Sequence, residues 1–185
     1  KWKHKKCKTE DKRGKIPNTT PISERPAGAE NRTRFGHWES DTVLGMRKTG
    51  CFGTHVERKS GYLVAFRIDD RQDNEFNKAT IQAFSAIPDR LKKSFTVDNG
   101  KEFAAHQELA ESTGMKVYFC EPYSPWQRGT NENTNGLLRQ FFPKGTSFSN
   151  ISDDDLQFIV ELINNRPRKR LNYLTPFEVL KKFFS

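Results

Sequence analysis

The first regular pattern along the chain is a series of three short segments that contain apolar, aromatic and β-branched residues, which is typical of β-strands. The segments are 38–44, 52–57 and 62–68. A glycine-bounded stretch at 45–50 follows the first segment, and a Ser60–Gly61 pair separates the second from the third, as tight turns require. The pattern therefore predicts three antiparallel strands joined as a meander.

Helical and extended segments alternate along the rest of the chain. Apolar spacing of three and four residues, together with the positions of Gly and Pro, predicts helices at 74–87, 101–113, 131–142, after Ser152 and after Thr175–Pro176. Short apolar runs at 95–97 and 117–120 predict two further strands. Because strand–helix alternation adds parallel strands to a sheet, the predicted fold class is α/β and ribonuclease-H-like. The expected sheet is five-stranded and mixed, with three antiparallel strands followed by two parallel additions, and helices flank it.

Residues 1–34 carry no such pattern and are rich in Lys, Arg, Pro, Asn and Thr. Residues 1–35 hold eleven Lys and Arg against four Asp and Glu, a charge of +7 out of +9 for the 185-residue chain. We therefore predict a basic, partly ordered linker or arm at 1–34 and one domain at 35–185. A basic arm is typical of proteins with a polyanionic partner, and equally of a solvated tether.

Composition excludes several classes of protein. No apolar run approaches the roughly 18 residues that span a bilayer, and no signal-peptide pattern opens the chain. The three cysteines, Cys7, Cys51 and Cys120, form no CxxC pair, so we expect reduced thiols rather than a zinc site or disulfide framework. The chain starts with Lys1 rather than Met, which predicts a fragment of a longer, cytoplasmic protein.

Three acidic residues fall at one place in the predicted sheet. Asp41 lies in the first strand, Asp98 ends the fourth, and Glu132 lies in the first turn of a later helix. The first and fourth strands are neighbours in a ribonuclease-H-like sheet, so the carboxylates are expected to converge. Carboxylate oxygens without nearby His or Cys suit Mg²⁺ or Mn²⁺, and two such ions would support phosphoryl transfer.

Each of these carboxylates also has an explanation without function. Asp98 stands in an Asp-Asn-Gly sequence that favours a turn by itself. Asp41 could lie on the polar face of an edge strand, and Glu132 could be favoured by the helix macrodipole.

Five stretches of the chain match one known family: ERPAGAENRTRFGHWESDTVLG at 24–45, VERKSGYL at 56–63, TVDNGKEFA at 96–104, PYSPWQRGTNENTNGLLRQFFPKGT at 122–146 and NNRPRKRLNYLTPFEVL at 164–180. They resemble the catalytic domain of DDE-type bacterial insertion-sequence transposases of the IS-thirty family, which are related in fold to retroviral integrases. The resemblance implies that 35–185 is an integrase core domain and that Asp41, Asp98 and Glu132 are the catalytic, metal-binding residues. Thirty-three residues separate Asp98 from Glu132, as in this family. Ser40 stands where we expect Gly, which should affect strand packing more than metal ligation.

The resemblance implies an enzyme, a DNA transposase. The expected reaction is metal-dependent cleavage at transposon ends, followed by strand transfer of the 3′-hydroxyl into target DNA, by a two-metal mechanism. The expected cofactor is Mg²⁺ or Mn²⁺, as two ions. The expected partners are DNA at transposon ends and targets and further copies of the chain, as a dimer or higher multimer, with no membrane. The expected location is the bacterial cytoplasm, in association with the nucleoid.

Two other interpretations stay open. A catalytically inactive relic could keep the fold and bind DNA or regulate partner subunits, and a purely hydrolytic metal-dependent nuclease could use the same carboxylates without strand transfer. The family's amino-terminal helix-turn-helix region has no counterpart here, so sequence-specific end recognition is not expected of this chain.

Residues around the predicted site are candidates for DNA contacts. Arg139 lies two helical turns after Glu132, with Asn135 between them, and in related transposases a basic residue at this offset contacts DNA. The loop before this helix could stack an aromatic ring and a guanidinium on an unpaired base, although its Trp126 could equally be a loop anchor. Glu102, four residues after Asp98, is close enough to support a water or a ligand. The remaining candidates for DNA contact are Gln127, Arg128, Asn99, Lys101, Arg168, Lys169 and Arg170.

Overall fold

A mixed sheet with helices on both faces makes up the computed structural model, which describes residues 16–69 and 73–183. The strands are β1 Thr20–Pro21, β2 His37–Leu44, β3 Cys51–Glu57, β4 Leu63–Ile68, β5 Ser94–Val97 and β6 Lys116–Phe119. Their order across the sheet is β1-β6-β5-β2-β3-β4. Strands β2, β3 and β4 form the predicted antiparallel meander, and β5 and β6 join parallel to β2. The predicted α/β, ribonuclease-H-like fold class is confirmed.

The predicted number of strands, five, is wrong by one. Strand β1 lies at the sheet edge and pairs in parallel with β6, with Thr20 opposite Tyr118 and Pro21 opposite Phe119. Two residues are too short to show an alternating pattern, and a proline argues against a strand anywhere except at an edge. The additional strand was therefore hidden inside the segment predicted to be an arm.

Six α-helices surround the described part of the sheet: α1 Ala27–Glu30, α2 Asp73–Ser85, α3 His106–Thr113, α4 Gly129–Phe141, α5 Asp153–Asn164 and α6 Pro176–Lys182. The helix predicted at 101–113 is divided, because a 3₁₀ turn at Lys101–Phe103 precedes α3. The predicted start of α5 is confirmed as a capping box between Ser152 and Asp155.

Two apolar cores lie on opposite faces of the sheet, as the alternation of side chains along strands dictates. On one face Trp38 and Phe95 pack against Phe76 and Phe84 of α2. On the other face Phe52 and other strand residues pack against α4 and α5. Helix α4 is therefore held against β2 and β3, the strands that carry the polar residues described below.

The described part of the predicted arm, residues 16–34, packs on the domain. Ala29 is fully buried, and its carbonyl accepts a 2.8 Å hydrogen bond from Arg58 Nε. Arg25 is also buried and donates to Thr96 Oγ1 on β5. The boundary at residue 34 stays a prediction, and residues 1–15, with Cys7 among them, lie outside the described residues.

Two findings bear on the expectations from composition. Cys51 and Cys120 are buried free thiols. Among the described residues, no helix is long and apolar enough to cross a membrane.

Candidate active site

Asp41 and Asp98 are brought together by the pairing of β2 with β5. The two strands run parallel, with Glu39 opposite Thr96, and continuing that register by two residues places Asp98 beside Asp41. Asp98 follows the last residue of β5, so it lies at the carboxyl edge of the parallel strands, where ligands bind in open α/β sheets. The predicted proximity of the first and fourth strands of the core is therefore observed.

Arg128 joins the two aspartates. Its Nη2 donates to Asp98 Oδ2 at 2.7 Å, and its Nη1 lies 3.2 Å from Asp41 Oδ1. Nη1 also donates to the carbonyl of Ser40, at 2.9 Å. The side chains of Arg128, Asp41 and Asp98 are 14%, 27% and 39% exposed, so Arg128 is the most shielded from water and Asp98 the least. The guanidinium thus supplies positive charge at the point where both carboxylates meet.

The electrostatics of the pair are set by burial and by this arginine. Burial raises the pKa of Asp41, the Arg128 charge opposes that effect, and the neighbouring Asp98 raises the pKa further. Burial by itself would lower the pKa of Arg128, but the two carboxylates outweigh it and raise that pKa. Two carboxylates at this edge therefore need a cation between them.

Glu132 is the one predicted carboxylate that the structure does not bring to the other two. It is exposed on the first turn of α4, and the described residues contain no group of three His, Cys, Asp or Glu side chains that could hold a metal ion. One turn further on, Asn135 Nδ2 donates to Asp41 Oδ2 at 3.2 Å. Helix α4 therefore already contacts the aspartate pair, three residues after Glu132. The assignment of Glu132 stays a prediction.

A buried polar network, which the sequence did not reveal, fixes the start of α4. Glu39 is fully buried two residues before Asp41, on the same face of β2, and forms an ion pair with Arg58. Its other carboxylate oxygen accepts from the backbone N–H of Asn131, at 2.8 Å. The Asn131 side chain, also fully buried, donates to the carbonyl of Glu39 at 2.7 Å. These bonds set the position of the helix that carries Glu132.

Gly100 and Glu102 shape the turn after Asp98. The N–H of Gly100 donates to Asp98 Oδ1 at 2.8 Å, and a Cβ at this position would collide with Glu102 Oε2 and lie 2.8 Å from Asp98 Oδ1. Any larger residue here would push one of these two carboxylates aside. Glu102 is buried and accepts from Thr42 Oγ1 at 3.0 Å, so it supports β2. Asn99 donates to the carbonyl of Cys120 at 2.9 Å, which ties the ends of β5 and β6 together.

The other predicted DNA-contacting residues near this edge differ in accessibility. Trp126 is 72% exposed, in the 3₁₀ turn Pro125–Arg128, and so is not a buried loop anchor. Gln127 accepts from the N–H of Glu121, which stabilises the same loop. Lys101 is exposed beside the Asp98 turn. Arg139 donates to the carbonyl of Leu44 at 2.6 Å, which fastens α4 to the end of β2.

The arginines of the basic cluster at 168–170 are held by main-chain carbonyls. Arg168 donates to the carbonyl of Ile163, and Arg170 donates to the carbonyl of Lys59. Lys169 is exposed. These contacts fix the two arginines against the end of α5 and the turn after β3.

We expect the Arg128→Gln variant to be less stable than the wild type without metal, by about 1–3 kcal/mol, because two partly buried carboxylates lose their counter-charge. Added Mn²⁺ should raise the melting temperature of this variant more than that of the wild type, because the cation no longer competes with the guanidinium. Thermal unfolding with and without Mn²⁺ measures both effects. Lys78→Gln, which breaks an exposed pair with Glu75, is the control, with an expected change below about 1 kcal/mol. Equal Mn²⁺ shifts in wild type and Arg128→Gln would contradict this interpretation.

The strand order and the paired aspartates at the carboxyl edge define a ribonuclease-H-like fold of the integrase type. The integrase core domain family matches residues 31–125, and the chain belongs to that family. A solved structure, the simian T-cell lymphotropic virus intasome in complex with PP2A regulatory subunit B56 gamma, is similar in fold, with a TM-score of 0.63 and 21% identity. The similarity covers 78% of this chain and 54% of that chain.

Insertion-sequence transposases are among the similar proteins. The transposase InsI for insertion sequence element IS30C of Escherichia coli (strain K12) is 47% identical over 167 residues, 90% of this chain and 43% of that protein. The transposase for insertion sequence element IS1086 of Cupriavidus metallidurans is 42% identical over 170 residues, 92% of this chain and 50% of that protein. The predicted kinship with IS-thirty transposases, an enzyme family, is confirmed. The chain spans half or less of the length of these two relatives.

Proposed function

We propose that the chain is the catalytic domain of a DNA transposase, which cleaves DNA at transposon ends and transfers the resulting 3′-hydroxyl into target DNA. The observation that carries the proposal is the pair Asp41 and Asp98, side by side at the carboxyl edge of β2 and β5 and joined by one guanidinium. Kinship with insertion-sequence transposases supports the same reaction.

The residues at this edge fit a hard divalent cation. Their donor atoms are carboxylate oxygens, and the pair already meets around a positively charged group. Asp41, Asp98 and Glu132 would hold Mg²⁺ or Mn²⁺ ions, two in the proposed mechanism. Bound there, the ions would lower the pKa of the attacking hydroxyl or water and neutralise charge that develops on the phosphate.

The protein's own groups orient this chemistry. Asn135 fixes one oxygen of Asp41, and the Gly100 N–H fixes one oxygen of Asp98, so each aspartate has a defined rotamer. The Glu39 network holds the first turn of α4, which carries Glu132. Arg128, which holds both aspartates, would be free to pair with a DNA phosphate if a cation took its place.

The surface beside the aspartates suits a DNA end whose strands have separated. Trp126 presents an exposed ring on which an unpaired base can stack, and Lys101 and Asn99 are exposed beside the Asp98 turn. Arg139, on α4, donates to the carbonyl of Leu44 at the end of β2. We propose that these residues, with Gln127 and Asn135, line the path of the DNA strand.

A transposase must hold the ends of its element and a target together, so we propose that the chain works as a dimer or higher multimer on DNA. The proposed location is the bacterial cytoplasm, in association with the nucleoid, because the substrate is DNA.

A strand-transfer assay distinguishes this function from that of a purely hydrolytic nuclease. With Mg²⁺, the full-length protein and a pre-cut transposon end that carries a 3′-hydroxyl should give products joined to a target plasmid. The matched control is the same end with a 3′-deoxy terminus, which has no nucleophile and should give none. Cleavage of uncut ends without joined products would favour the nuclease, and the absence of both reactions would favour the inactive relic.

A further inference from the structure

A cavity of about 210 Å³ lies beside the first turn of α4, outside the candidate active site. Three of the residues that line it are arginines, and the others are glycines or residues with neutral polar side chains. The arginines are Arg32, Arg168 and Arg170, which come from two distant parts of the chain. No carboxylate is among the described residues that line the cavity, so its walls carry a strong positive charge.

The fold holds these arginines close together. Arg58 and Lys59 donate to main-chain carbonyls of the segment before and after Arg32, which docks that segment on the domain. Arg170 passes over Gly61, where a Cβ would collide with Nη2, and donates to the carbonyl of Lys59. Burial lowers the pKa of Arg170 most, the charges of Arg32 and Arg168 lower it further, and Glu57 and Glu39 oppose them. An anion between the guanidinium groups would relieve the repulsion among them.

The wall formed by α4 adds donors of a second kind. Gly129 and Thr130 begin this 13-residue helix, whose amino terminus carries partial positive charge. Thr130 is only 7% exposed, and its hydroxyl has no hydrogen-bond partner among the described residues. A buried hydroxyl without a partner is unfavourable, and a phosphate oxygen in the cavity would be its acceptor. Asn133, one turn on, lines the same cavity.

We infer that this cavity binds a phosphate group of the DNA backbone, held by Arg32, Arg168, Arg170 and the first turn of α4. Arginine forks match phosphate oxygens geometrically, and the cavity has room for such a group. The inference rests on the proposed function for the choice of DNA over a free anion.

The phosphate site and the candidate active site lie on opposite faces of α4. At 3.6 residues per turn, Thr130, Asn133 and Thr134 share one face. Asn135 and Arg139, which contact β2, lie on the other. A helix is about 10 Å across, so a phosphate in the cavity is separate from one at the aspartates. The cavity would therefore anchor the duplex and position α4 without touching the reacting atoms.

Duplex DNA binding by the 185-residue chain, in EDTA and on the Asp98→Asn background, tests the inference without any need for catalysis. Fluorescence anisotropy over a range of salt concentrations should show that Arg32→Gln with Arg170→Gln weakens binding by about ten- to hundredfold at about 0.1 M salt. The slope of log affinity against log salt should fall by about one, because the cavity holds a single phosphate. Lys78→Gln, on the opposite face of the sheet, is the matched loss of one charge and should leave the affinity within about twofold of the parent.

Two further measurements separate a phosphate site from a general effect of charge or of folding. Thr130→Val removes the hydroxyl without a change of charge, and it should weaken binding by about threefold or more with an unchanged salt slope. Arg170→Lys keeps the charge but loses the fork, and it should bind between the parent and Arg170→Gln. Thermal unfolding in inorganic phosphate should show stabilisation of the parent that Arg170→Gln lacks, and equal melting temperatures without phosphate show that the variant is folded.

Equal duplex affinity and equal salt slope for the parent and the double arginine variant would overturn the inference. So would phosphate stabilisation that depends on Arg170 without any effect on duplex binding, because it would indicate a free anion as the ligand. If the double arginine variant binds duplex DNA more weakly but the wild type does not cleave transposon ends, the proposed function is contradicted and the phosphate site still stands.

Discussion

Asp98→Asn should reduce the rate of Mg²⁺-dependent cleavage of transposon-end DNA by about a thousandfold or more, and Glu132→Gln should do the same. The loss of one anionic ligand removes several kcal/mol of charge stabilisation from the transition state, and each 1.4 kcal/mol is worth about tenfold in rate. The substitution of Asn keeps the size of Asp98, so the turn at Gly100 should persist. A single-turnover cleavage assay with the full-length protein and labelled end DNA measures the effect.

The matched controls each remove one carboxylate charge from a position distant from the candidate active site. Asp89→Asn removes an exposed aspartate that precedes β5, whereas Asp98 follows that strand. Glu111→Gln removes an exposed glutamate on α3. Both should cleave at the wild-type rate within about twofold, since exposed charges distant from a site contribute little. Wild-type cleavage by Glu132→Gln, with Asp98→Asn inactive, would show that another group supplies the third ligand.

Glu39→Leu should lower the free energy of unfolding by about 3–5 kcal/mol, the largest effect on stability that we expect of a single substitution here. The change leaves the buried guanidinium of Arg58 without its carboxylate and the N–H of Asn131 without its acceptor. Equilibrium unfolding in urea measures the loss. Because Glu39 also positions the first turn of α4, any folded fraction should cleave DNA more slowly although Glu39 does not touch the aspartates.

A double variant separates charge from packing. Arg58→Met on the Glu39→Leu background removes the unpaired charge as well, and replacement of both members of a buried pair is often close to neutral. We therefore expect recovery of about half or more of the lost stability. If the double variant is as unstable as the sum of the single variants, the ion pair is not the source of the effect.

The features of the fold that could be predicted are those that leave a local pattern in the sequence. Short strand-like segments separated by turn residues predicted the meander. The sequences at Ser152 and Thr175 predicted helix starts that both prove to be capping boxes. The proximity of Asp41 to Asp98 was also predictable, because strand pairing in this fold fixes which strand ends are neighbours. Strand β1 was missed because its two residues gain their structure from β6, far away in the chain.

The residues that support the site could not be predicted because their roles depend on long-range contacts. Glu39 lies two residues before Asp41 and has the sequence pattern of a polar residue on a half-exposed strand. Only the packing of α4 shows that Glu39 is buried. Arg128 was predicted as a DNA contact, but its proximity to both aspartates is visible only in the folded structure. Arg32 and Arg170 meet in one cavity although 137 residues separate them.

The central claim is that Asp41, Asp98 and Glu132 together hold divalent cations, and Mn²⁺ binding tests it most directly. Electron paramagnetic resonance of free Mn²⁺, titrated with the 185-residue chain, measures binding without DNA and without catalysis. We predict saturable binding by the wild type, weakened by about tenfold or more in Asp41→Asn, Asp98→Asn and Glu132→Gln and unchanged in Asp89→Asn. Binding of Mn²⁺ by Asp41→Asn and Asp98→Asn with the wild-type affinity would contradict the account.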